Sequence, residues 1–286
     1  MTNEIFDPKA DDCIVCKQYS LKPDFQLKHP MGHSLSWTKC QDCGFTFMNP
    51  RLCFDEMRKI YDSDEYWNNG SYVNYIENEP VRIKNSEYRL NYFSKFLPPT
   101  GTLLDVGCAT GFFSFAASRR GYEVTGIDPS LRMIEYGKKN YGLDLRAQTI
   151  EEANFAPNSF DIISLWGTDS QFFDPRGSFS KLSCWLKPKG VFLFSYQNYA
   201  SPIRWLFPRI KQRPNVYYNF SRKALHLFLR QLDLEIKLDR TAVQITQVHQ
   251  VIRAIGIRSK QLRLIDNIRI KIPTFSYRVV VALKAE

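Results

Sequence analysis

An α/β fold with a mostly parallel sheet, preceded by a small cysteine-bearing module, is what the sequence predicts. Three observations lead there. Short apolar runs alternate with helix-length segments from residue 101 onward. Those runs are nearly continuous in apolar character, as in strands buried on both faces. Four of the seven cysteines stand in two Cys-x-x-Cys pairs near the N-terminus.

The chain of 286 residues is long enough for one large or two modest domains. It opens on "MTNEIFDPKADD", polar and acidic, and no window approaches the roughly 18 apolar residues of a membrane span. The expectation is a soluble, cytoplasmic protein without a membrane span. Residues 201–286 hold 17 Lys or Arg against 5 Asp or Glu, an excess of +12 in a chain whose net charge is +10. A basic third offers a face to a phosphate-bearing substrate, an anionic membrane surface or nucleic acid, or it is a solvated surface. Its cations are interspersed with apolar residues, which makes nucleic acid the weaker choice.

The two pairs are "CIVC", Cys13 and Cys16, and "CQDC", Cys40 and Cys43, with 23 residues between them. Each knuckle presents two thiolates from one tight turn, and two knuckles supply the four soft ligands of a structural zinc ribbon. Redox chemistry and free thiols are the alternatives. Gly44 suits the tight turn after the second knuckle. Cys53, Cys108 and Cys184 lie outside the set and read as small core residues. Between the ribbon and residue 100 the sequence reads as linker plus helix. Tyr88, Tyr92 and Phe96 recur at a spacing of four, and Pro98-Pro99 ends the run.

Strands are expected at Thr102–Val106, Tyr122–Ile127, Leu143–Ala147, Phe160–Leu165 and Val191–Tyr196. Helices should begin near Gly111, Ser130, Glu151 and Pro175. Two further strands, Leu234–Arg240 and Ser276–Leu283, flank a helical insertion over Gln244–Leu264. The first strand runs into "LLDVGCATGFF". Gly107 there lets the backbone turn tightly beside a ligand, and Gly111 opens a helix whose N-terminal amides can meet polar groups. Asp128 ends the next strand, where a carboxylate can take both hydroxyls of a ribose.

In Asp105-x-Gly107-x-Ala109-x-Gly111 the last glycine comes one place too early for a dinucleotide fingerprint. The motif resembles that of the class I S-adenosylmethionine (SAM) methyltransferases, as do "VTGIDPS", "AQTIEEANFAPNSFDIISLW" and "WLKPKGVFLFSYQN". With "KCQDCGFTFMNP" and "YDSDEYW", nearly the whole chain looks like the zinc-ribbon-bearing members found in bacterial surface-glycan and sugar modification. The resemblance implies a Rossmann-like, seven-stranded sheet with its last strand antiparallel. It divides the chain into a ribbon over 1–54 and a methyltransferase domain over 55–286. Within the latter, 55–100 would form a helical lid, 101–200 the cofactor core and 201–286 an acceptor-side cap with closing strands.

By the same resemblance, Asp105, Gly107 and Gly111 would line the methionine end of SAM. Asp128 would hold the ribose, Pro129 would border the adenine, and Thr149 and Ile150 would lie at its edge. Trp166 would floor the active site. Of the aromatic set Tyr66, Tyr72 and Tyr75, a ring such as Tyr72 would cover the sulfonium, a contact worth about 0.5–2 kcal/mol, although packing also explains aromatics here. Relatives carry an acidic residue where Gly167 stands and a Glu-His pair where Ser170-Gln171 stands, the histidine being their usual base. With that histidine absent, three readings stay open: Asp169 in the exposed loop as base, a nucleophile that needs none, or a fold that binds SAM without turnover. The implied activity is methyl transfer to a small or glycan-linked acceptor, a sugar hydroxyl, with Arg204, Arg209, Lys211 and Arg213 available to a diphosphate. An RNA methyltransferase and a non-enzymatic scaffold are the competing functions.

Overall fold

The computed structural model describes residues 5–28, 34–62, 75–198, 216–247 and 269–286. A small antiparallel sheet comes first, from β1 (Leu21–Lys28), β2 (Ser34–Cys40) and β3 (Thr46–Met48). Two helices follow, α1 (Phe54–Asp62) and α2 (Glu79–Tyr92), and then a single 3-10 turn, Ser94–Phe96, before the prolines. The helix α1 falls where only a linker is expected from sequence. Its buried Met57 faces the interior, and its exposed positions are charged.

The α/β core then runs β4 (Gly101–Val106), α3 (Phe112–Ser118), β5 (Tyr122–Asp128), α4 (Leu131–Tyr141), β6 (Asp144–Ala147), β7 (Phe160–Trp166), α5 (Pro175–Trp185) and β8 (Leu186–Gln197). The chain continues with β9 (Tyr218–Asn219), α6 (Arg222–Arg230), β10 (Leu234–Gln247) and β11 (Arg269–Lys284). The large sheet has seven strands in the order β10-β11-β8-β7-β4-β5-β6. Its β4, β5, β6, β7 and β8 pair in parallel, and the last strand, β11, inserts antiparallel between β8 and β10. This is the Rossmann-like arrangement expected.

Continuous apolar strands become the centre of the core: Leu103, Leu104, Ile162, Ile163 and Val281 are fully buried. Each such side chain contributes about 1.5–3 kcal/mol. On one face Phe179 packs edge-on against Phe192, Phe194, Phe220 and Phe228. That cluster is continuous with Trp37, Phe45 and Phe47 of the small sheet.

Two expected helices are corrected. No helix starts near Glu151, and residues 151–159 form turns. Lys181 Nζ takes the carbonyls of Ile150, Glu151 and Ala153 that a helix would use, and Asn158 sits at φ 56°, outside the helical region. At the insertion, Gln244–Gln247 continue β10 as strand, paired with Arg269–Ile272; residues 248–264 lie outside the described segments. Ladder pairing carries the strand onward where side-chain pattern alone suggests a helix. Cys108 is buried as expected, but Cys184 is exposed rather than a core residue.

The small sheet is not self-contained. Its fourth strand is β9, which pairs with β3 as Thr46↔Asn219 and Phe47↔Tyr218, so the segment before α6 closes the module of the N-terminus. Among the described residues no helix is long and apolar enough to cross a membrane.

Candidate active site and metal centre

A cavity of about 810 Å³ opens at the C-terminal ends of β4, β5 and β7, where an open α/β sheet binds its ligands. At its heart is the turn between β4 and α3. Gly107 has φ +69° and Gly111 φ +77°, a left-handed region that L side chains rarely adopt. A Cβ on Gly107 would stand 2.2 Å from the Thr168 hydroxyl, so the loop after β7, rather than a ligand alone, makes a side chain intolerable. Gly111 is the residue before α3, and a Cβ there would press on Leu145 at 3.0 Å.

Asp128 terminates β5 inside the cavity. Its Oδ2 accepts from the Ala109 amide at 2.9 Å and its Oδ1 from the Ser130 amide at 2.9 Å. The carboxylate is thereby fixed at the rim of the glycine turn, and burial pushes it up to about 6. Pro129, Thr149 and Ile150 line the same end of the cavity. Phe54, Met57 and Arg58 of α1 face them, with Arg58 paired to Glu152 at 3.1 Å.

Asp105 lies in the cavity wall, and its oxygens are engaged from within the protein. Ser114 Oγ donates to one at 2.7 Å and Ser164 Oγ to the other at 2.8 Å, and burial raises the carboxyl to about 6. It braces β4, α3 and β7 around the turn. Trp166 ends β7 against Phe113 and Phe93, its indole N–H without a partner. The Arg89 guanidinium lies 4.4 Å above the indole ring, and burial lowers it to about 10.

Asp169 is corrected most. The sequence suggests an exposed, solvated loop carboxylate; the structure buries it to 2% exposure in the cavity wall. Burial raises it to about 8. Tyr75 lines the cavity and stacks on Phe112, whereas Tyr66 and Tyr72 lie outside the described residues, as do Arg204, Arg209, Lys211 and Arg213.

Sequence reading misses the wall opposite the turn. It consists of α2 residues Arg82, Asn85, Ser86 and Arg89 and the outer ends of β10 and β11. Asn85 clips helix to strand, its Nδ2 donating to the Ile245 carbonyl at 2.8 Å and its Oδ1 accepting from the Ile245 amide at 2.7 Å. The signal was present: polar residues at i, i+3, i+4 and i+7 share one helix face.

In the small sheet, the sulfur atoms of Cys13, Cys16, Cys40 and Cys43 lie within 4.8 Å of one another. Cys13 Sγ and Cys43 Sγ stand 3.6 Å apart, and Cys16 Sγ and Cys40 Sγ 3.5 Å. Four thiolates bonded to zinc at about 2.3 Å stand about 3.8 Å apart in a tetrahedron, so the set fits that ion. The hydrogen bond with Cys43 lowers the Cys13 thiol below the ordinary cysteine range.

Residues 82–238, more than half of the chain, match the family described as a methyltransferase domain. The chain belongs to that family. Its fold is the class I methyltransferase fold. Among curated proteins, the ubiquinone biosynthesis O-methyltransferase of Coxiella burnetii is 28% identical over 151 residues, which are 50% of this chain and 62% of that protein. Its counterpart from Actinobacillus pleuropneumoniae is 31% identical over 147 residues, 46% of this chain and 59% of that protein. The methyltransferase thus spans under two thirds of the length of these relatives. Among solved structures, YcgJ of Bacillus subtilis superposes with TM-score 0.52 at 18% identity, covering 71% of this chain and 99% of its own. A SAM-dependent methyltransferase of Thermotoga maritima gives 0.51 at 18%, covering 81% and 100%. These two likenesses concern the fold.

Proposed function

We propose that the chain methylates a hydroxyl group of a small acceptor held between α2 and the β10–β11 arm. The observation that carries this reading is the single cavity that joins the glycine turn and Asp128 at one end to Trp166, Arg89 and the buried Asp169 at the other. SAM supplies a methyl group activated on a sulfonium. Asp128 holds the ribose, Gly107 and Gly111 give the turn its close approach, and Pro129, Thr149 and Ile150 receive the adenine. Arg89 offers a cation to an anionic group. Asp169 accepts the hydroxyl proton as the acceptor oxygen bonds to the methyl carbon and the carbon–sulfur bond breaks, its electron pair remaining on sulfur. A buried carboxyl near pKa 8 suits proton abstraction close to neutral pH, a contribution of about 10²–10⁴-fold.

The acceptor class we favour is a sugar hydroxyl in surface-glycan synthesis, on the ribbon-plus-core resemblance. The cations of the C-terminal third partly support an anionic carrier group. Lys271 and Arg240 lie over Tyr88 and Tyr92, which line the cavity, while Arg222 and Arg278 are engaged on Asp239. A phenolic hydroxyl is the second reading, favoured by the names of the curated relatives. The zinc ion, held by Cys13, Cys16, Cys40 and Cys43, would be structural.

The test is calorimetric titration of the zinc-loaded chain with SAM, using Asp128→Ala as control, followed by a screen of nucleotide sugars against catechol-type phenols. Micromolar binding lost in the variant supports the donor site, and no binding by the intact chain refutes it. Turnover of phenols alone would replace the sugar reading.

A further inference from the structure

The segment from β7 to α5, residues 167–174, carries Asp169 and is held on the side of the small sheet at two places, with a third contact just beyond it in α5. The Tyr217 amide, beside β9, donates to the Ser170 carbonyl at 2.9 Å, and the Tyr217 carbonyl in turn accepts from the Met48 amide of β3 at 2.7 Å. Arg51, just after β3, donates from its Nη1 to the Phe173 carbonyl at 2.6 Å and lies 3.9 Å over that residue's ring. Arg176, at the start of α5, donates to the Ile14 carbonyl between the two cysteines of the first knuckle at 2.9 Å.

The second knuckle grips the same neighbourhood. Trp37 Nε1 donates to the Val216 carbonyl at 3.2 Å, and Val216 itself lines the cavity. Ser221, which caps α6 by accepting from the Ala224 amide at 3.0 Å, donates to the Cys43 carbonyl. Lys223 donates to the Asp42 carbonyl at 2.6 Å. The glycine turn is anchored elsewhere: the amides of Gly107 and Cys108 bond the Ile127 carbonyl and that of Ala109 bonds Asp128, all in β5.

We propose that the four-cysteine module is a positioning element for the active-site loop. With its metal bound it holds residues 167–174 against the cavity through Ser170, Phe173 and Arg176; without the metal that loop is released while the glycine turn stays in place. The physical basis is that Tyr217 and Arg51 hold Ser170 and Phe173, and beside them the knuckles supply the backbone carbonyls of Ile14, Cys43 and Asp42 to Arg176, Ser221 and Lys223. The directions of those carbonyls are set by the turn that four sulfur–metal bonds enforce. The catalytic consequence, loss of proton transfer with donor affinity retained, rests on the reading of Asp169 given above. The mechanical coupling does not.

Hydrogen–deuterium exchange of the full chain tests it, comparing zinc-loaded protein with protein dialysed against a chelator, in the absence of donor and acceptor. Peptides over 167–174 and 216–221 should exchange at least about 10-fold faster without metal, and those over 101–118 within about 2-fold of the loaded rate. Unchanged exchange over 167–174 would overturn the coupling. Equal acceleration over 101–118 would overturn it too, because the module would then support the whole fold. Arg51→Ala leaves all four cysteines in place and removes the contacts to Phe173 together with the ion pair to Asp7; it should loosen 167–174 with zinc content still one per chain by atomic emission. If 167–174 in that variant exchanges as in the wild type, the route through Arg51 is refuted. SAM titration of the metal-free chain separates the two readings. Retained affinity with a loosened loop supports the coupling, whereas a chain that never binds SAM refutes the donor site and leaves the exchange result standing.

Discussion

Replacing Asp169 by asparagine keeps the shape of the side chain and removes its titration. Burial in the cavity wall raises the native carboxyl to about 8, against about 3.9 in an unfolded chain. A carboxyl raised on folding binds its proton more tightly in the native state, so its contribution to stability is greatest below pH 4. That contribution falls as pH rises, and the loss is complete once pH passes 8. The slope approaches about 1.4 kcal/mol per pH unit between those limits. Between pH 5 and pH 8 the wild-type chain should therefore lose about 3–4 kcal/mol relative to Asp169→Asn. Urea unfolding followed by circular dichroism at pH 5, 6, 7 and 8 measures this. Titration of Asp105, Asp128 and the cysteines is common to both chains and cancels in the difference. A wild-type-minus-variant difference that stays flat from pH 5 to 8 would refute burial of an acid at this position. In the same variant kcat should fall by about 10²–10⁴-fold, while SAM affinity holds.

Gly107→Ala should cost about 1–2 kcal/mol for left-handed backbone, plus the collision with Thr168, and should weaken SAM binding measured by calorimetry. Combining it with Thr168→Ala should recover part of that loss. Arg89→Met should lower affinity for whichever ligand carries the anion, by about 10–100-fold. A raised Kd for SAM assigns the anion to the donor, and a raised acceptor KM at constant SAM affinity assigns it to the acceptor; neither change refutes the role. Asn85→Ala, which strands the Ile245 amide and carbonyl, should cost about 1–3 kcal/mol in urea unfolding and speed amide exchange in β10 ahead of β4.

The site was legible in the sequence where chemistry and backbone demand coincide. Gly107 and Gly111 announce left-handed turns, Asp128 ends a strand, and paired Cys-x-x-Cys knuckles have few other uses. It was not legible where a residue's role depends on what folds against it. Asp169 reads as solvated because its neighbours in sequence are small and polar, yet the fold buries it close to Tyr218 of β9. Asn85 and Arg89 read as one face of an amphipathic helix until β10 and Trp166 supply their partners. The helix expected after Glu151 failed because Lys181, 30 residues along the chain, claims its carbonyls.

The sequence by itself determined the alternation of strand and helix, the glycine turn, the carboxylate that ends β5 and the two paired cysteine knuckles, because each follows from local periodicity or short spacing. Only the tertiary structure decided that β9 completes the sheet of the N-terminal module, and that this module grips the loop bearing Asp169. It also decided that this aspartate is buried, which raises its carboxyl to about 8. Burial and hydrogen-bond partnership are set by residues more than a hundred positions apart, and no local pattern encodes them.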